Sequence, residues 1–160
     1  TIDSTVSVGS TVRLYLPLIT ADVDVAALEH TAPEWPLGEG EVVLVLEDEQ
    51  DLLKTAVNLL EGLNYRALQA RDAEEALAVL NSGETVHLLF SDVVLPGGLS
   101  GPELADKAHA KFPDLKVLYC SGYTDNMLVN GHGSKLQARL LDKPYSLDEL
   151  AVAVRAALYD

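Results

Sequence analysis

The sequence predicts an α/β fold: a five-stranded parallel sheet with helices on both faces, doubly wound, preceded by a strand and a linker. Two observations predict it. Short runs that are apolar at every position, as suits strands buried on both faces, recur from Val42 onward. Between them lie segments whose apolar residues repeat at helical spacing, and strands alternating with helices imply parallel crossovers.

Taken in order, the first extended segment is Val12-Arg13-Leu14-Tyr15-Leu16, which alternates, is β-branched and aromatic, and stops at Pro17. One strand cannot fold alone, so it is expected to belong to a domain further upstream or to add to a neighbouring edge, a second copy included. Residues 18–41 contain Pro33, Pro36, Gly38 and Gly40 without a sustained apolar period, which is linker composition. Val42–Leu46, Val86–Phe90 and Val117–Cys120 read as buried strands, Tyr65–Gln69 as a weaker one and Arg139–Leu141 as a short fifth. Four helical stripes separate them. They are Leu52, Ala56, Leu59, Leu60 and Leu63; Ala73, Ala76, Leu77 and Leu80; Leu104, Ala105, Ala108 and Phe112; and Leu147, Leu150, Ala151, Val154 and Leu158. Gly62 and Gly83 fall at helix ends, Pro113 follows the third stripe, and Ser146 with Glu149 forms a capping box. Asp125–Val129, ahead of Gly131 and Gly133, is the remaining helical segment.

Composition narrows the partners. The chain has 160 residues, 48% hydrophobic and 22% charged, which is enough for one domain with an appendage and a core of its own. Twenty-five acids against 11 bases give a formal charge of −14. That field repels phosphate backbones and anionic lipid, so neither nucleic acid nor a membrane surface is an expected partner. Residues 1–41 carry seven acids against Arg13 alone. A single cysteine, Cys120, cannot close an internal disulfide, which points to a reducing, cytoplasmic setting. No apolar run approaches the ~20 residues of a membrane span. The sequence starts at Thr1 without a Met or a leader, and reads as a fragment of a longer protein.

In an open parallel sheet, ligands lie beyond the carboxyl ends of the strands. Glu47 and Asp48 follow the first buried strand, Asp92 the third, Ser121-Gly122 the fourth, and Asp142-Lys143-Pro144 the fifth. Crowded carboxylates repel one another unless a cation sits among them, and hard oxygen ligands favour Mg²⁺. Lys143 offers a point charge for a phosphate oxygen and Ser121 a hydroxyl for another. The Asp92 carboxylate is then the natural nucleophile for aspartyl-phosphate chemistry.

This arrangement resembles the receiver domain of bacterial response regulators over about residues 42–159. The resemblance rests on the pair Glu47-Asp48, on Asp92 in Ser-Asp-Val-Val-Leu-Pro, on Ser121, and on Lys143 in Lys-Pro-Tyr. The separations of 44 (92 − 48) and 22 (143 − 121) also suit the family. It implies a flavodoxin-like sheet in residues 42–160 that takes a phosphoryl group from a kinase phosphohistidine, in the same or a partner chain. A downstream phosphotransfer protein is a further expected partner. Asp92 is implied as phosphoacceptor, with Lys143 and Ser121 assisting. Mg²⁺ (or Mn²⁺) is implied on Asp48, Asp92 and the Val94 backbone carbonyl, with Glu47 acting through water. Such domains promote their own phosphorylation and dephosphorylation.

Ser4 to Pro17, with Gly9-Ser-Thr before Val-Arg-Leu-Tyr-Leu-Pro, is similar to the last glycine box and strand of a histidine-kinase ATP-binding domain. Residues 1–17 would then be a remnant of that domain and 18–41 an acidic linker, the parent being a hybrid histidine kinase. A homodimer is also consistent with the orphan strand. Two departures from the family matter. Leu140 stands where an aromatic switch residue is usual, and Gly97-Gly98 lengthens the loop after Asp92. Tyr123 and Val94 would flank the path of an attacking water, with Gly122 between Ser121 and Tyr123.

Two other classes compete. A phosphohydrolase of the haloacid-dehalogenase kind wants a second Asp where Val94 stands, and a phosphorylation-independent binding module that keeps the fold has its best support in Leu140. The remaining conspicuous residues have plain readings. Glu49 and Asp51 suit a helix start, Cys120 a buried strand, His87 a satisfied strand position and His109 a helix surface. His30 lacks the surroundings of a phosphohistidine box, and Trp35 either docks on a neighbouring surface or is disordered.

Overall fold

A computed structural model describes residues 1–16, 35–95, 99–122 and 140–159. The chain divides into two units, Thr1–Pro33 and Glu34–Asp160. In the first, β1 (Ile2–Thr5) pairs antiparallel with β2 (Gly9–Val12), Ile2 opposite Val12. Ser7 and Gly9 have positive φ (63° and 137°), and the Val8 N–H closes the turn on the Thr5 carbonyl at 3.0 Å. Arg13 donates to the Thr1 carbonyl at 2.8 Å and pairs its guanidinium with Asp3. The strand expected over Val12–Leu16 is therefore displaced. It is the preceding segment, Gly9–Val12, that has a backbone partner, and the ladder ends at Arg13, so Leu14–Leu16 alternate without pairing. Every residue of β1 and β2 is exposed.

The second unit runs β3 (Val42–Leu46), α1 (Gln50–Gly62), β4 (Arg66–Ala70), α2 (Ala73–Asn81), β5 (Leu88–Asp92), α3 (Gly101–His109), β6 (Lys116–Ser121), β7 (Leu140–Asp142) and α4 (Leu147–Tyr159). The five strands are parallel in the order β4-β3-β5-β6-β7, the flavodoxin-like arrangement. Val43, Val45, Leu88, Phe90, Leu118 and Cys120 pack with α1 and α4, whereas Leu44, Leu46, Leu89, Val117 and Tyr119 pack with α2 and α3. Two core layers, one per sheet face, explain why β3 is apolar throughout and β5 is apolar up to Ser91.

Local chemistry sets the helix ends. Asp72 accepts from the Glu75 N–H at 2.8 Å, and Ser100 with Glu103, like Ser146 with Glu149, forms a reciprocal cap. Three sequence expectations shift by a residue or two. Tyr65 precedes β4. Val86 and His87 precede β5, and the His87 ring instead accepts the Val42 N–H on Nδ1 at 2.9 Å. The buried stripe of α1 is Leu53, Ala56, Val57 and Leu60, leaving Leu52 42% exposed, because the sheet meets the helix one residue round from the expected face. Asp125–Val129, Gly97-Gly98 and Arg139 lie outside the described residues.

Residues 35–41 were expected to belong to a linker, yet they pack on this unit. The Gly38 N–H donates to the Leu63 carbonyl at 2.8 Å, and Asn64 Nδ2 donates to the Gly38 carbonyl at 2.6 Å. Trp35 Nε1 donates to Asp148 Oδ1 at 2.5 Å, and the Tyr159 hydroxyl donates to the Glu41 carboxylate. A Cβ on Gly38 would lie 2.5 Å from the Tyr65 ring, so a larger residue would require the ring or the strap to shift. Pro and Gly here shape a docked segment, an outcome composition alone does not distinguish from a free one.

Candidate functional site

The parallel register delivers the site. Leu46 pairs with Ser91, Asp92 with Cys120 and Ser121 with Asp142, so the ends of β3, β5, β6 and β7 lie side by side. Backbone bonds carry the ladder just past the strands: Glu47 N–H to the Ala70 carbonyl at 3.2 Å, Val93 to Cys120 at 3.0 Å, and Lys143 to Ser121 at 2.8 Å. Glu47, Asp92, Ser121 and Lys143 are thus held through the main chain as well as by their side chains.

Lys143 Nζ donates to Glu47 Oε2 at 2.6 Å and to Asp92 Oδ2 at 2.7 Å. The side chains are 19%, 7% and 12% exposed respectively, so the contacts are sheltered from water and weakly screened. Asp92 Oδ1 accepts the Val94 N–H at 3.3 Å, and Glu47 Oε1 accepts the Glu49 N–H at 3.4 Å. Asp48 is exposed, yet carboxylate oxygens of Glu47, Asp48 and Asp92 all lie within 4.8 Å of one another. Three carboxylates face one ammonium, an excess of negative charge on hard oxygens, and that donor set fits Mg²⁺ or Mn²⁺.

Burial works against the charge of Lys143. The fields of Cys120 and Asp92, with hydrogen bonds to Asp92 and Glu47, outweigh it and raise its pKa, so the ammonium persists at any physiological pH. Tyr145, two residues after Lys143, is partly buried with its ring edge-on to Phe90 at 6.0 Å and 64°. Burial pushes its phenol up to about 12; Cys120, Glu47 and Asp92 add to the shift and Lys143 opposes it. Ser121 is fully buried and Gly122 partly so, while Val94 is 43% exposed. Leu140 stands opposite Tyr119 on β7 and packs into the α2/α3 core layer. Tyr123 lies outside the described residues.

Sequence reasoning passed over two residues here. Ser91 Oγ donates to the Asp92 carbonyl at 2.8 Å. A Cβ on Gly101 would lie 2.2 Å from the Asp92 carbonyl oxygen and 2.8 Å from Ser91 Oγ. The signal for Gly101 was a glycine in the first turn of a well-capped helix, where it costs ~1 kcal/mol relative to Ala without an evident turn to justify it.

The profile of the response regulator receiver domain matches residues 43–155. The chain belongs to that family. It is a receiver domain of two-component signal transduction, a class of phosphoacceptor domains. Over 98% of its length it is 31% identical to the sensor kinase CckA of Brucella abortus (strain 2308), of which it spans 17%. It is 29% identical to the response regulator receiver protein CpdR of the same organism, over 72% of this chain and 95% of that one. Among solved structures, the receiver domain from the hybrid histidine kinase CckA is 33% identical with a TM-score of 0.58, covering 73% of this chain and 98% of that one. A signal receiver domain of an HD domain-containing protein from Pseudomonas fluorescens Pf-5 is 31% identical with a TM-score of 0.66, covering 74% and 94%. Among the described residues of this receiver domain, no helix is long and apolar enough to cross a membrane.

Proposed function

We propose that this receiver domain takes a phosphoryl group from a phosphohistidine onto Asp92. The observation that carries the reading is the Lys143 ammonium held 2.7 Å from Asp92 inside a triad of carboxylates. An Asp92 carboxylate oxygen attacks phosphorus, the N–P bond breaks, and the imidazole nitrogen keeps the electron pair and takes up a proton. Lys143 is already placed to follow the charge that moves from the carboxylate to the phosphoryl oxygens, and Ser121 at the end of β6 supplies a hydroxyl beside it. Asp48, Asp92 and the Val94 carbonyl, with Glu47 near by, would hold Mg²⁺, which would supply further charge neutralisation. The chain's own work is to aim the Asp92 oxygens and to hold the ammonium beside them.

The similarity to a sensor kinase over 98% of the chain supports a wider reading. Residues 1–17 are the end of a histidine-kinase ATP-binding domain, 18–41 connect it, and 42–160 form the receiver of a cytoplasmic hybrid kinase. The donor is then a phosphohistidine of the same or a partner chain, and a downstream phosphotransfer protein is a further partner. Incubation with Mg²⁺ and acetyl phosphate, followed by intact mass measurement, tests the core of the proposal. One added phosphoryl group, lost in Asp92→Asn, is the expected result. No labelling would favour a phosphorylation-independent module, the reading that Leu140 supports, and rapid donor turnover without accumulation would favour a phosphohydrolase.

A further inference from the structure

We propose that Gly101 and Ser91 are positioning residues for phosphoryl acceptance, forming a buried latch that fixes the Asp92–Val94 backbone; this rests on Asp92 being the phosphoacceptor. The first turn of α3 lies directly on the end of β5. The Gly101 N–H donates to the Val93 carbonyl at 3.0 Å, and the absent Gly101 side chain leaves room for the Asp92 carbonyl, which an added Cβ would approach to 2.2 Å. Beside it the Ser91 hydroxyl, fully buried, donates to that same Asp92 carbonyl at 2.8 Å, and the added Cβ would also come within 2.8 Å of Ser91 Oγ. Val93 also donates to the Cys120 carbonyl at 3.0 Å, so both ends of its peptide are bound. The Ser100–Glu103 capping box, with Ser100 N–H to Glu103 Oε2 at 2.8 Å, holds α3 in register for this contact.

The consequence is geometric. Asp92 presents one carboxylate oxygen to Lys143 and the other to the Val94 N–H, and both contacts depend on where the Asp92 peptide lies. A Cβ at residue 101 meets backbone, which cannot swing aside as a long side chain does, so the carbonyl and its carboxylate must shift together. Misplacement of a reacting group by ~1 Å costs about 100-fold in rate. The same shift moves the Val94 carbonyl, one of the groups proposed to hold the metal.

The test compares the whole chain with Gly101→Ala, Ser91→Ala and the conservative Ser91→Thr. Mg²⁺ affinity of the unphosphorylated protein is measured by calorimetry, and phosphorylation by acetyl phosphate is followed at saturating Mg²⁺ over a range of donor concentrations. Gly101→Ala is expected to weaken Mg²⁺ binding about tenfold and to lower the maximal rate by about 10–100-fold. Ser91→Ala is expected to lower the maximal rate about threefold with the half-saturating donor concentration unchanged, and Ser91→Thr to restore it. A lowered melting temperature with wild-type Mg²⁺ affinity and wild-type maximal rate would overturn the proposal, leaving both residues as packing only. If Gly101→Ala does not fold, the Ser91 pair decides. If the wild type takes no phosphoryl group, the phosphoacceptor reading fails by itself. The latch then stands or falls on whether Gly101→Ala loses Mg²⁺ affinity.

Discussion

The β3 strand and the β1–β2 hairpin use the same backbone geometry to opposite ends. All five residues of β3 are buried between two helical layers, whereas all eight of β1 and β2 face solvent. Hydrogen bonding alone does not secure the hairpin, since an isolated two-stranded ribbon is marginal in water. The receiver's sheet is secured by the apolar area its two faces remove from water. Stability therefore resides almost entirely in the unit that begins at Glu34, and substitutions should separate the two regions sharply.

The largest separation is expected in the core. Phe90→Ala or Leu44→Ala should cost ~3–5 kcal/mol in urea unfolding followed by circular dichroism, against about 0.5 kcal/mol or less for Val12→Ala. Equal losses would break the comparison. Next comes Lys143→Met, which leaves Glu47 and Asp92 facing each other in a sheltered site without their cation. A loss of ~3 kcal/mol at neutral pH is expected by the same measurement, together with loss of phosphoryl uptake.

Deletion then sharpens the boundary. Residues 35–160 should melt at the temperature of the whole chain, and residues 42–160 roughly 5–10 °C lower, as the loss of ~1–2 kcal/mol of strap contacts predicts. The last effect is confined to alkaline pH. The Tyr145 phenol titrates higher in the folded receiver than the ordinary value of 10.0, so the folded state holds its proton longer than the unfolded chain. That contribution is complete below pH 10 and declines as pH rises towards 12, so Tyr145→Phe should flatten the fall in melting temperature over this interval.

Much of this was legible because the informative residues are local. The runs Val42–Leu46 and Leu88–Phe90 announce burial on both faces by composition alone, and sheet topology then forces Glu47, Asp92, Ser121 and Lys143 to one edge. What escaped depends on tertiary contacts. Leu52 and Leu53 are interchangeable in a helical pattern until the sheet selects one. Trp35, Gly38 and Glu41 read as spacer because their partners, Asp148, Tyr65 and Tyr159, are remote in sequence. Gly101 shows no unusual backbone angle, and its reason for being glycine exists only once Asp92 lies above it. Val12–Leu16 alternates convincingly, but alternation reports which way side chains point and says nothing of whether a backbone partner is present.

Trp35 is the only tryptophan in the chain, and its indole nitrogen is tied to Asp148 in the first turn of α4, five residues beyond Lys143 (148 − 143). The protein consequently carries an intrinsic optical probe at the place where the strap meets the helix that follows the active lysine. Release of the strap would expose the indole to water and shift its emission to longer wavelength, so strap docking can be followed in the unlabelled molecule as Mg²⁺ and a phosphodonor are added.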